Sequence, residues 1–167
     1  MTLNWSAPYE ELEAGQAFTT RGRTVTEADV VGFAALTGDW HPQHSDAQWA
    51  AGSAFGERIA HGLLVVSLAA GLVPFDPHRV IALRRVGDAT FKRPVRFGDT
   101  LHVNGRVLEL GAGSDEAGLV AFQWAVVNQD ERTVCRARVE VLWRRDGVSD
   151  DAGADEYAVT GFVPIPL

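Results

Sequence analysis

Asp39 and His44 lie five residues apart in the run Thr37-Gly38-Asp39-Trp40-His41-Pro42-Gln43-His44-Ser45-Asp46, on a loop that Pro42 stiffens. A carboxylate and an imidazole on such a loop can aim at one point. Together they can hold a water molecule, take its proton and deliver a proton elsewhere, provided both lie within hydrogen-bond reach of it. The pair therefore suits the addition or removal of water. Spacing alone is also compatible with capping or surface roles for both side chains.

A second feature is the dipeptide His61-Gly62 at the head of the apolar run GLLVVSLAAGL. The first backbone N–H groups of a helix have no intrahelical partner, and the helix dipole makes that end positive. A carbonyl oxygen can approach the N–H of a residue without a side chain and be stabilised as negative charge develops on it. The other reading of Gly62 is that it allows tight packing at the start of the helix. His41, His44 and His61 with Asp39 are also ligand types that bind zinc, but none of the spacings forms a HExxH-type helical pair, and no metal is expected.

Elements on either side must position these groups. Phe18, Thr19, Thr20, Thr24 and Val25 predict one short opening strand within residues 17–25. Thr26 with Asp29 three residues later forms a capping-box pattern. Val30, Phe33, Ala34 and Leu36 then recur at helical spacing, which predicts a helix from Glu27 to Leu36 that Thr37 and Gly38 end. The stretch from Asp39 to His61 reads as an irregular functional segment with a short helix at Ser45 to Ala51. The helix opened by Gly62 is apolar on every face and is expected to be buried on all sides, with Pro74 and Pro77 stopping it.

Alternating β-branched and aromatic residues predict four strands, Val80 to Phe91, Thr100 to Leu110, Gly118 to Asn128 and Thr133 to Trp143, the last three as a meander. One buried helix beside five strands implies an α+β arrangement, a single antiparallel sheet wrapped round a central helix. A curved sheet leaves an edge strand open, which makes a homodimer joined through the sheets a reasonable expectation.

The 167-residue chain has 46% hydrophobic and 22% charged positions, enough for one domain with a core of its own. The reading places that domain at residues 1–145 and an acidic tail at 146–167. The tail holds Asp146, Asp150, Asp151, Asp155 and Glu156 without a Lys or Arg. A net charge of −7 argues against nucleic acid as a partner, because phosphate-backbone binding depends on clustered cations. The run from Gly62 to Phe75 is shorter than the roughly 20 residues that cross a bilayer, so no membrane span is expected. The acidic opening MTLNWSAPYEEL is unlike a secretory signal and Cys135 has no cysteine to pair with, so a cytoplasmic location is expected. Cys135 reads as a small core residue.

In this order the motifs resemble the MaoC-like dehydratases, the (R)-specific enoyl-CoA hydratase group built on the hot-dog fold. The family's loop pattern, Asp-x-Asn-Pro-x-His preceded by Gly and followed shortly by an acid, aligns with Gly38, Asp39, Pro42, His44 and Asp46. Its His-Gly-Leu/Met segment aligns with His61, Gly62 and Leu63. A later element, Phe-x-x-Pro-Val-x-x-Gly-Asp-x-Leu, is present as Phe91, Pro94, Val95, Gly98, Asp99 and Leu101. The resemblance implies a dimer as the minimal unit and acyl-CoA or acyl-carrier-protein thioesters as substrates, within fatty acid metabolism. No cofactor is implied, since CoA travels with the substrate. Asp39 and His44 match the catalytic pair, and Gly62 matches the residue whose N–H receives the thioester oxygen.

Two departures stand out. His41 replaces the family's loop Asn and either contacts substrate or, the favoured reading, has a structural role stacked on Trp40 or Trp49, and Ala70 stands where some relatives carry a pocket serine. Trp40 is expected to wall the acyl pocket and the other four tryptophans to be packing residues, with His61 and Ser67 as further substrate contacts. Of the basic residues Arg58, Lys92, Arg93 and Arg96, Arg93 is the expected contact to CoA phosphate. A hot-dog thioesterase is a weaker reading, because it needs a carboxylate on or near the central helix and Gly62 to Pro74 has none. A noncatalytic acyl-binding subunit has no reason to carry all three matched residues.

Overall fold

The computed structural model describes residues 1–146. The acidic segment predicted from 146 onward falls outside them except for Asp146, which pairs with Arg79 at 3.0 Å. Strands β1 (Ala17–Thr19) and β2 (Arg23–Thr24) precede helices α1 (Glu27–Thr37), α2 (Pro42–Ser45), α3 (Ala47–Ala51) and α4 (Gly62–Leu72). Strands β3 (Val80–Phe91), β4 (Thr100–Gly111), β5 (Ala117–Val127) and β6 (Thr133–Arg144) complete the order. Every pairing between them is antiparallel, in the order β1-β4-β5-β6-β3, with β2 also on β4. The expected meander is β4-β5-β6, and β3 closes on its far side.

The opening strand is two strands rather than one, so the sheet has six where five were expected. Thr20 interrupts it: its Oγ1 accepts from the Val103 N–H at 2.9 Å, a bond that a regular ladder would give to a backbone carbonyl.

Apolar side chains of α4, namely Leu64, Val65, Leu68, Ala69 and Leu72, join the core with Val103, Val107, Phe122 and Trp124 of the sheet. Trp5 sits among Phe18, Phe75, Phe122 and Trp143 with ring centroids 4.9–5.9 Å away. Burying several such rings contributes roughly 1.5–3 kcal/mol each, which outweighs the exposed ion pairs at about 0–1 kcal/mol. Cys135 is fully buried, as expected.

Two expectations about packing are corrected. α4 is not buried on all sides: Leu63, Ser67 and Gly71, four residues apart, face outward, because a sheet in one chain covers only one side of a helix. Trp49 is not a core residue; it is half-exposed and lies edge-on to His41. Among the described residues no helix is long and apolar enough to cross a membrane.

α1 begins at the expected capping box, with the Thr26 side chain accepting from Asp29 N–H and the Asp29 carboxylate accepting from Thr26 N–H. It ends at Gly38, whose φ of 78° is the left-handed exit that favours glycine. Replacing Thr26→Ala removes one half of this box and is expected to cost about 1 kcal/mol, read as a lower urea midpoint at unchanged slope. An unaltered midpoint contradicts the capping assignment.

Candidate active site

The loop that leaves α1 turns back twice. His41 caps α2 through Nδ1, which accepts from Gln43 N–H at 3.2 Å, and Pro42 stands at the first helical position, where it lacks no needed donor. Asp46 then caps α3, its Oδ1 accepting from Gln48 and Trp49 N–H at 2.9 and 3.0 Å. Buried Gln43 ties this unit to the segment before α4: its Nε2 donates to the Glu57 carbonyl, and its own carbonyl accepts from Ile59 N–H.

His44 therefore meets Ile59. Its Nδ1 lies 2.7 Å from the Ile59 carbonyl, and since a carbonyl only accepts, Nδ1 carries the hydrogen and Nε2 is left as an acceptor. The ring of His44 stacks on that of His61 with centroids 3.8 Å apart. Buried His61 in turn points Nε2 at the Asp39 carbonyl, 3.0 Å away, and leaves Nδ1 buried without a hydrogen-bond partner. The Asp39 carboxylate accepts from His41 N–H through Oδ1 at 3.3 Å, and its Oδ2 is 3.9 Å from His61 Nε2. One ligand-type atom from each of Asp39, His44 and His61 falls within 4.8 Å of the others. These three are the donors that could surround a cation. The His61 Nε2 proton is already given to the Asp39 carbonyl, so that set offers His44 Nε2 and the Asp39 carboxylate most readily.

Burial is the main reason that His44 protonates less easily than a free histidine, and the neighbouring His61 adds to this; the Ile59 carbonyl and Asp39 act in the opposite direction.

Beside His44 opens a cavity of about 280 Å³, lined among others by Phe55, Ile59, Gly62, Val65, Phe91 and Arg93. The first turn of α4 forms part of its wall, and no side chain caps that end of the helix. Phe91 covers Gly62 closely: a Cβ on Gly62 would stand 2.8 Å from the Phe91 ring. The missing side chain of Gly62 thus leaves room for a packed ring at a residue that also lines the cavity.

The residues of the late motif have mechanical roles. Phe91 roofs Gly62. The Val95 carbonyl accepts from Ala60 N–H at 2.8 Å, and Ile59 bridges to Arg96, which fixes the carbonyl that orients His44. Gly98, with φ of 92°, makes the turn that Asp99 closes by accepting from Arg96 N–H.

The structure thus brings Asp39, His44 and His61 together and places His44, Gly62 and Arg93 in the cavity wall, which Asp39 itself does not line. Trp40 is half-exposed and does not line it; Ser67 faces outward and donates to the Leu63 carbonyl. Arg58 and Arg96 are taken up by Glu27 and Glu57. Sequence reasoning missed the Ile59 carbonyl, which carries no side-chain signal, and Phe55 in the cavity wall.

A family model for the MaoC like domain matches residues 10–123. The chain belongs to the MaoC-like dehydratase family. It is 36% identical over 102 residues to the 3-hydroxybutyryl-CoA dehydratase of Methylorubrum extorquens, a match that covers 61% of this chain and 64% of that one. The chain spans less than two thirds of the length of the first relatives it matches. Among solved structures it resembles the R-hydratase PhaJ1 of Pseudomonas aeruginosa, with TM-score 0.68 and 34% identity over 83% of this chain and 86% of that one. A Mycobacterium tuberculosis protein described as having a double hotdog fold matches with TM-score 0.74 at 22% identity, covering 97% of this chain and 52% of that one. The fold of this MaoC-like chain is the hot-dog fold, an antiparallel sheet with a helix packed against it.

The titration of His44 tests the local geometry. Its NMR midpoint is expected below the ordinary value of 6.5, so that Nε2 is unprotonated at neutral pH. Because the unfolded chain binds this proton more readily, the stability linked to His44 is present above 6.5 and is lost as pH falls through the folded value. A midpoint at or above 6.5 contradicts burial as the dominant influence on the ring.

Proposed function

We propose that this chain hydrates trans-2-enoyl thioesters to (R)-3-hydroxyacyl thioesters and catalyses the reverse dehydration. The observation that carries the reading is the meeting of Asp39 and His44 beside a cavity whose wall includes Gly62 at the positive end of α4. The names of the relatives, a hydroxybutyryl-CoA dehydratase and an R-hydratase, support it.

Water sits between the Asp39 carboxylate and His44 Nε2. His44 takes one of its protons as the oxygen attacks the β-carbon. The α4 dipole and the Gly62 N–H stabilise the negative charge that moves onto the thioester oxygen. The enolate then collapses, the proton held by the pair goes to the α-carbon, and oxygen and hydrogen arrive on the same face. Water and the thioester balance this chemistry without metal or cofactor. In the reverse direction the same pair removes the α-proton and protonates the departing hydroxyl.

A thioesterase reading is weaker because the central helix α4, Gly62–Leu72, carries no carboxylate. The functional unit is proposed to be a homodimer joined through β3, an edge strand with exposed Leu83 and Val86 and, among the described residues, no strand on its outer side. Light scattering is expected to give twice the 18.1 kDa chain mass; a single chain mass contradicts that pairing.

With crotonyl-CoA as substrate, Asp39→Asn and His44→Ala are each expected to lower kcat by at least about 100-fold. Gly62→Ala and Gly62→Pro both add a Cβ beneath Phe91, but only proline removes the N–H, and a helix tolerates it at its first position. Gly62→Pro is expected to lose roughly a further 100-fold beyond Gly62→Ala. Near-parental turnover by both loop variants contradicts the assignment of the pair, and equal losses for the two Gly62 variants contradict the oxyanion role.

A further inference from the structure

His61 is the one buried histidine among the described residues, and the proposed reaction gives it nothing to do. It does not line the cavity, although His44 and Gly62 beside it do. A buried polar side chain destabilises the fold unless its hydrogen bonds are made, and His61 Nδ1 has no partner. Its remaining contacts are what that cost maintains.

Those contacts reach every part of the site. The ring meets Phe33 of α1, with centroids 5.1 Å apart, and His44 of α2 at 3.8 Å. Nε2 lies 3.0 Å from the Asp39 carbonyl, which only accepts, so Nε2 carries the hydrogen. The backbone of His61 stands at the N-cap of α4, its carbonyl accepting from Val65 N–H at 3.2 Å, and its peptide bond leads directly into Gly62.

The polar groups of Asp39 show which contact decides its place. Its N–H donates to Thr37 Oγ1 and its Oδ1 accepts from His41 N–H, each at 3.3 Å and each across two residues of one turn. Such bonds shape the turn, but an exposed turn held by nothing else opens readily. The Asp39 side chain is 52% exposed, so packing does not hold it either. Among the described residues, the bond from His61, 22 positions further along the chain, is the only hydrogen bond that ties Asp39 to another segment.

We propose that His61 is the positioning residue of the pair: by clamping the Asp39 carbonyl to the residue that precedes Gly62, it holds the Asp39 carboxylate in register with His44 and the head of α4 without touching the thioester. The inference rests on the proposed hydratase function and assigns His61 its part in that reaction. A displacement of about 1 Å at a reacting centre lowers a rate by on the order of 100-fold, and this clamp is what prevents it at Asp39.

Three variants separate the donor from the ring. In His61→Gln the amide nitrogen stands as many bonds from the backbone as Nε2 and reaches the same carbonyl. In His61→Asn it stands one bond shorter, at the place of Nδ1. His61→Phe keeps a ring against His44 and has no donor. Circular dichroism verifies the fold of each. With crotonyl-CoA, His61→Phe and His61→Asn are expected to lower kcat by on the order of 100-fold with KM within about twofold of the parent, and His61→Gln to recover at least about tenfold of that loss. In an Asp39→Asn background, His61→Phe is expected to add no more than about a twofold loss, because a residue that acts through Asp39 then has nothing left to position. Amide hydrogen exchange at His41, whose N–H is bonded to the Asp39 carboxylate, reads the clamp without turnover. It is expected to quicken about tenfold in His61→Phe and His61→Asn and to keep the parental rate in His61→Gln. Equal kcat and equal exchange in the Gln and Phe variants overturn the clamp. A loss carried by KM with kcat intact makes His61 a substrate contact and overturns it too, as does a full 100-fold loss added to that of Asp39→Asn. Should the parent hydrate no thioester, the hydratase reading fails and the exchange rates alone decide: quickening confined to the Phe and Asn variants upholds the clamp, and equal rates in all three refute it.

Discussion

The hydrogen bond from His44 Nδ1 to the Ile59 carbonyl decides which nitrogen of the imidazole is left free to act. Everything around it serves to keep that carbonyl in place. Ile59 bridges to Arg96, Ala60 bonds to Val95, and Gln43 holds the segment from the side of α2. A protonation state is thus set by strand pairing on one side of the loop and helix capping on the other. Were the 59–60 segment free to drift, the ring could rotate or exchange tautomer, and the acceptor would no longer be fixed.

The second constraint is electrostatic. Two imidazoles stacked at 3.8 Å disfavour a positive charge on His44, and burial acts in the same direction. An Asp39 carboxylate nearby opposes both, but Asp39 is half-exposed and its field is partly screened by water. The balance disfavours a positive charge on His44, which lines the same cavity as the first turn of α4. That is the charge arrangement required for a reaction in which a proton leaves water and negative charge moves to a carbonyl oxygen.

Much of this was legible in the sequence because it was written in local rules. The Thr26–Asp29 box, the Gly38 exit, the four long alternating strands and the helix opened by Gly62 all stem from neighbours in the chain. The departures came where one segment answers to a distant one. Thr20 splits the opening strand because its hydroxyl takes a ladder bond from Val103. Leu63, Ser67 and Gly71 face outward because the sheet covers one side of α4, which hydropathy along the helix does not reveal. Within the site, Asp39, His44 and Gly62 were readable from spacing and from resemblance. The place of the Ile59 carbonyl and the seating of His61 against Asp39, His44 and Phe33 depend on how distant segments meet, which brings residues far apart in sequence together.

The central claim is that one water molecule, held by the Asp39–His44 pair, supplies both the oxygen and the proton from the same side of the double bond. Hydration of crotonyl-CoA in deuterium oxide, with NMR assignment of the product, measures this directly. The account predicts an (R)-3-hydroxy product with a single deuterium at the α-carbon, placed syn to the new hydroxyl. Anti placement, or deuterium scrambled over both α-positions during a single turnover, would contradict it.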